Sequence, residues 1–306
     1  MFKANEAVQI RQRRRLLKHT LCSYGLLAPS LVFILLFTVY PIFKSFYLGF
    51  TDLGYVNPTP VWIGWENYRS LFESSVFWKI IRNTLYFSLE TVLPSMFIGF
   101  FLALLLNGTF KGLRFARAAF FYPVMMPMIA VACIWKYIYM PETGMLATTL
   151  FDLFGYKMGD LLSNRNTVLP ALAFMYNWKE SGYLMIFFLS GLQNLSGEYF
   201  EAARIDGAGF WRTFTRITLP LMAPTTLFVT IIEVTNSIKL VDHIVILTQG
   251  KPANGSSTLL YYIYQTAYTF FQQGKASALT VIMLIALMVI AMPQYLRFDK
   301  RIHYEG

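Results

Sequence analysis

Predominantly apolar runs, each long enough to cross a bilayer core at ~20 residues per helix, recur six times along this chain. They cover residues 21–50, 80–107, 116–140, 168–192, 221–247 and 276–298. Hydrocarbon offers the backbone no hydrogen-bond partner, so each run has to satisfy its own amides as a helix. With 56% hydrophobic and only 14% charged residues in 306, no length remains for a sizeable soluble domain. The expected fold is an all-α membrane protein with six transmembrane helices. A cleaved signal peptide would have a shorter apolar region and a small-residue cleavage site, and neither is present in the first run. The prolines Pro94, Pro123, Pro127, Pro170 and Pro224 fall in or at the ends of spans, where neighbouring helices can satisfy the freed backbone groups. Cys22 and Cys133 both sit in apolar segments and read as small core residues rather than a disulfide.

The formal net charge of +10 is explained by where the cations lie. Fifteen Lys and Arg gather on one side of the spans: in the N-terminal arm 1–20, the connection 108–115 with its flank, the loop 193–220, and the tail 299–306 together with Arg297 at the end of the last run. Six lie on the other side (Arg69, Lys79, Lys157, Arg165, Lys251 and Lys275). The positive-inside rule therefore places both termini and the loop 193–220 in the cytoplasm. It also removes the nucleic-acid reading, because the charge follows the membrane rather than one binding face.

That cytoplasmic loop holds the most specific pattern in the chain. Glu201-Ala202-Ala203 is followed by three residues and Gly207, then nine residues, Ile217, one residue, and Leu219-Pro220. Ser196 can cap a helix whose first turn carries Glu198, and Gly207 can end it in the left-handed conformation. Tyr199, Ala202 and Ala203 share one face by i, i+3, i+4 spacing. Two of the three are alanines, so another protein's surface can come close to this backbone.

This pattern, with the wording Glu201-Ala202-Ala203-Arg204-Ile205-Asp206-Gly207-Ala208, resembles the EAA motif of bacterial ABC importer permeases. The resemblance is closest to the carbohydrate-uptake permeases of the maltose and glycerol-phosphate kind, and every defined motif position agrees. A further stretch, Gly64-x-x-Asn67-Tyr68 after the first span, is similar to one common in that family. The resemblance implies a coupling helix between spans four and five, with Glu201, Ala202, Ala203, Asp206, Gly207, Ile217, Leu219 and Pro220 meeting an ATPase subunit. It implies as partners a second homologous permease, two ATPase subunits that carry ATP and magnesium, and an extracytoplasmic solute-binding protein. It also implies multi-pass placement in the bacterial cytoplasmic (inner) membrane, and a sugar, glycoside or glycerol-phosphate-like polyol as solute.

The residues themselves offer no enzyme. The phosphate-cradling form G-x-x-x-x-G-K-S/T is missing, since neither Lys251 nor Lys275, each preceded by glycine, is followed by Ser or Thr. No paired-cysteine or H-E-x-x-H metal pattern occurs, so no cofactor or metal is expected on this chain. Ionisable groups inside spans are costly and face a cavity or a partner. Here they are Glu90, Lys136, Lys179, Glu180, Glu233, Lys239 and Asp242. Steps of three from Glu233 through Asn236 and Lys239 to Asp242 read as one polar ridge along the fifth span. Two readings compete. The charges fasten helices as ion pairs, or Asn177, Trp178, Lys179, Glu180, Glu233, Asn236 and Lys239 line a path suited to sugar hydroxyls and, through the lysines, to an anionic derivative. A secondary transporter driven by an ion gradient is the rival class, and it calls for inverted repeats that the chain does not display.

Overall fold

A computed structural model describes residues 24–299. The whole basic arm 1–20, Cys22 and the tail from residue 300 lie outside the described residues.

The first helix, α1 (Tyr24–Leu48), is apolar all round, with a mean hydropathy of 2.3 over its most apolar window and no part of that window buried inside the protein. Its exposed faces, Leu26 and Phe37 among them, suit lipid rather than water. It contains a π turn at Leu35–Val39, two residues before Pro41. The same spacing returns later, where a π turn at Phe214–Thr218 precedes Pro220. A proline gives no N–H to the residue four back and its ring crowds that carbonyl, so widening the preceding turn accommodates it.

After α1 the chain forms a small outer clasp. Thr51–Asp52 (β1) pairs antiparallel with Val61–Trp62 (β2), and α2 (Glu66–Phe72) comes next. Asn67 explains the Gly64-to-Tyr68 stretch: its buried amide donates to the carbonyls of Gly49 at 3.0 Å and Thr51 at 2.9 Å, tying α2 to the end of α1. Phe50 then sits among Trp62, Trp65 and Tyr68, with ring centroids 4.9–5.4 Å away.

The centre of the molecule is a helix pair. Helix α3 (Ser75–Leu105) starts at Ser74, whose side chain accepts from the Phe77 amide, and runs 31 residues, about 46 Å. It packs along α7 (Val168–Gln193), which matches the fourth apolar run. The third run departs from expectation. Rather than one span it forms α4 (Leu113–Met125) and α5 (Met128–Ile138), bent by 98°. Pro127 is the cause: it drives Met126 out of the helical region to ψ 136°. Helix α6 (Met145–Phe154) follows.

Past α7 come the short α8 (Gly197–Ile205) and α9 (Phe210–Leu221), then α10 (Ala223–Ile238) and α11 (Asp242–Leu247), with α9 and the next pair bent by 60°. An outer segment, α12 (Leu259–Tyr264) with a π turn at Gln265–Thr269, leads into α13 (Gln273–Asp299). This segment buries Leu259 and Tyr261 against the protein.

Among the described residues, α1, α3 and Gln273–Pro293 of α13 are each long and apolar enough to cross a membrane unbroken, and the two bent pairs together meet the same test. Helix α7 has 26 residues but a polar middle that the protein buries. Two apolar cores hold the α3–α7 pair. The outer one gathers Phe87, Trp135, Leu172 and Ile244, and the inner one Leu102, Leu184, Phe188 and Met222. Helix α4 crosses α7 at Gly182, where an added Cβ would lie 1.9 Å from the Phe120 carbonyl oxygen. Cys133 is exposed on α5, contrary to its reading as a core residue.

Candidate functional site

Two regions carry the residues the sequence singles out: the loop between α7 and α10, and the polar middle of the α3–α7–α10 packing.

In the loop, Ser196 Oγ accepts from the Glu198 amide at 3.3 Å and starts α8. Its end is a complete left-handed stop. Gly207 has φ +69°, its amide donates to the Arg204 carbonyl, and the Ala208 amide donates to the Ala203 carbonyl at 2.9 Å. Between α8 and α9 lies a cleft of about 320 Å³ lined by Tyr199, Ala202, Asp206, Arg212, Arg216 and Ile217, among others. Ala203 also borders it but is buried, so only Tyr199 and Ala202 of the small face lie open. Ile205, at the helix tip, is 86% exposed, and Phe210 and Trp211 beside it are exposed as well. Glu201 faces outward, while Leu219 and Pro220 lie further along α9, outside the cleft.

In the middle of the packing the predicted residues divide. Glu233 on α10 is fully buried and accepts from Ser95 Oγ of α3 at 3.0 Å. Asn177 donates to the backbone carbonyl of Glu90 at 2.9 Å. Four buried polar atoms here make no hydrogen bond of good geometry among the described residues, although Tyr176 stands beside Glu233 and Tyr86 beside Glu90: Glu90 Oε2, Tyr176 OH, Asn177 Oδ1 and Glu233 Oε2. Each such group costs ~1–3 kcal/mol if it stays dry and unpaired, so the junction is built for something polar.

Lys179 and Glu180 pair with each other at 3.0 Å. Lys179 Nζ also donates to the Val124 carbonyl at 3.3 Å, one of the acceptors that the break after α4 leaves without a helical partner. That is the fastening role. The polar ridge is interrupted: α10 ends at Ile238, so Lys239 and Asp242 belong to a turn and a new helix, both exposed. They form no ion pair, the described ones being Arg69–Glu73 and Lys179–Glu180. Lys136 is likewise exposed, in the last turn of α5 where the helix dipole favours a cation.

Asn177 and Trp178 come together in a groove of about 530 Å³ beside Pro94, Ile98, Phe174 and Ser181 on the α3–α7 pair. Asn236 and Lys239 do not line it. Toward the Ser75 end of the same pair lies a second cleft of about 550 Å³ bordered by Lys79, Arg82, Asn83, Tyr86, Arg165 and Asn166. Sequence reasoning misses Arg82, although Lys79, Arg82, Asn83 and Tyr86 obey i, i+3, i+4, i+7 spacing along one helix face. Ser95, Tyr176 and the buried, unpartnered His243 stacked on Phe87 carry no such pattern.

The fold is a largely helical one in which apolar helices, two pairs of them sharply bent, pack around the α3–α7 pair. The chain belongs to the family of binding-protein-dependent transport system inner membrane components, whose model matches residues 95–304. It is 32% identical over 276 residues to the sulfoquinovosyl glycerol transport system permease protein SmoG of Agrobacterium fabrum, covering 90% of this chain and 89% of that one. It is 31% identical over 284 residues to the probable ABC transporter permease protein YurN of Bacillus subtilis, covering 90% and 95%. It shares its fold, at a TM-score of 0.82 and 23% identity over 94% of this chain and 98% of the other, with a bacterial ABC transporter involved in import of the acidic polysaccharide alginate. The chain is thus a transport subunit and not an enzyme.

Proposed function

We propose that this chain is one of two permease subunits of an ATP-driven importer that carries a sugar or sugar-like solute into the cytoplasm. The observation that carries the reading is the exposed helix α8, capped at Ser196 and stopped at Gly207, which presents the Glu201-to-Pro220 motif beyond the inner core of the α3–α7 pair. In this reading six spans cross the bacterial cytoplasmic membrane with both termini inside. Helix α8 docks on one of two ATPase subunits, which hold ATP and magnesium. A solute-binding protein delivers the solute to the outer side, and the unpartnered polar atoms between α3, α7 and α10 meet its hydroxyls as it passes. The relatives point to the solute class: besides sulfoquinovosyl glycerol, their names include starch degradation products and sn-glycerol-3-phosphate.

The energy source separates this reading from an ion-driven carrier. In proteoliposomes that hold the assembled complex, uptake is expected to continue on ATP after ionophores have dissipated all ion gradients. Uptake that stops with the gradients while ATP persists would assign the intramembrane acids Glu90 and Glu233 to ion coupling instead.

A further inference from the structure

The outer cleft gathers three cations and no acid. Lys79 and Arg82 project from the outer turns of α3, and Arg165 from the loop that leads into α7. Arg82 and Arg165 both lie within electrostatic reach of Lys79, so the three charges repel one another. None of them belongs to an ion pair among the described residues. Lys79 is held in place by a hydrogen bond to the Ala253 carbonyl of the outer loop, whereas Arg82 and Arg165 are exposed. Asn83 braces the same loop by donating to the Asn254 and Ser257 carbonyls, so the wall of the cleft is anchored at two points. Like charges gathered without a counterion are unfavourable by themselves and become favourable once an anion enters. The arginine fork matches the oxygen geometry of carboxylates, phosphates and sulfonates.

The place of the cleft matters as much as its charge. Both the cationic cleft and the Asn177–Trp178 groove are lined from α3 and α7, the cleft by Lys79, Arg82, Tyr86 and Pro170 and the groove, further along the same pair, by Pro94, Ile98, Phe174 and Trp178. Arg82 precedes Glu90, the first acid along α3, by eight residues, or about 12 Å. The outer end therefore attracts negative charge, while the middle presents amide, aromatic and carboxyl groups to neutral hydroxyls.

We propose that the Lys79–Arg82–Arg165 cleft is the receiving subsite for the acid group of an anionic glycoside, holding it at the outer mouth of the α3–α7 pair. This rests on the importer reading and narrows its solute to a carboxylated, phosphorylated or sulfonated glycoside. An anionic lipid headgroup offers the same chemistry, and the test separates the two sources.

The measurement is equilibrium binding of methyl glucuronide, glycerol phosphate and methyl glucoside to the assembled complex in zwitterionic nanodiscs, for the wild type and for an Arg82→Gln, Arg165→Gln double variant. Both arginines are exposed, so their neutralisation leaves the helices packed. An anionic probe is expected to bind about tenfold or more tightly than methyl glucoside, the scale of one charge-assisted hydrogen bond, and the double variant to erase that preference. Restoring the positive charge with lysine at both positions should return most of it. Equal binding of charged and neutral probes, or a preference that survives in the double variant, overturns the proposal. So does a preference lost when anionic lipid is added, which would make the headgroup the occupant. Weaker docking of the binding protein, equal for charged and neutral solutes and without any change in probe binding, overturns it in favour of a protein contact. All these outcomes leave ATP-driven uptake standing, because the importer reading fails only in the separate energy-source experiment.

Discussion

Proline in place of Gly207 is expected to cut solute uptake at least about tenfold while the chain still inserts into the membrane. Gly207 stands at φ +69°, and a proline ring holds φ near −65°, so the stop of α8 cannot form. The substitution also removes the amide that donates to the Arg204 carbonyl. A residue forced from its backbone region costs ~1–3 kcal/mol, and 1.4 kcal/mol is already tenfold in an equilibrium. The helix re-aims to escape that strain, and Tyr199, Ala202 and Ile205 turn away from the docking geometry. Glu201→Lys is the gentler companion, since Glu201 is exposed and reversing its charge leaves the helix intact. Both variants are compared for membrane level, co-purification with the ATPase, and uptake. Full uptake by both would remove α8 from the mechanism.

Gly182→Val is the second large effect, and it acts on the fold. A Cβ at residue 182 would sit 1.9 Å from the Phe120 carbonyl oxygen, well inside contact distance with the backbone of α4. Backbone cannot swing aside as a side chain does, so α4 has to leave α7. Overpacking a core costs ~1–3 kcal/mol when side chains can adjust, and more where they cannot. Losing that contact also releases Lys179 from the Val124 carbonyl. Thermal unfolding of the purified complex should therefore fall by several degrees or the complex should fail to assemble. Gly197→Ala is the control, because nothing lies within 4 Å of a Cβ there and stability should stay near wild type. A Gly182→Val protein as stable as wild type would mean that α4 and α7 do not meet as described.

Much of this was legible from residues alone, and the parts that were not share a cause. The location of the apolar runs comes from composition over windows of about twenty residues, a signal that tertiary contacts barely disturb. The start and stop of α8 were readable because Ser196 and Gly207 act on their own neighbours. The 98° break at Pro127 was not, because a proline within a span can kink, bend or break it depending on what catches the freed carbonyls, and here that is Lys179 from another helix. The ridge from Glu233 to Asp242 assumed one continuous helix, and the turn at Lys239 removed the premise. Ala203 shares a helix face with Tyr199 and Ala202, yet it is buried at the edge of the cleft against α9, which no spacing along α8 can reveal. Arg82 shows the opposite case. Its pattern with Lys79 and Tyr86 was present in the sequence, but it acquires meaning only when Arg165, 83 residues later, arrives on the same cleft.

The central claim is that this chain transmits solute arrival outside to ATP hydrolysis inside. The most direct test is ATP hydrolysis by the complex reconstituted in lipid, with its binding protein and a panel of neutral and anionic glycosides. The account predicts that one solute, delivered by the binding protein, raises hydrolysis several-fold in the wild type. The Gly207→Pro complex should show no rise. A stable complex whose hydrolysis ignores every glycoside, or a Gly207→Pro complex that responds as the wild type does, would contradict it.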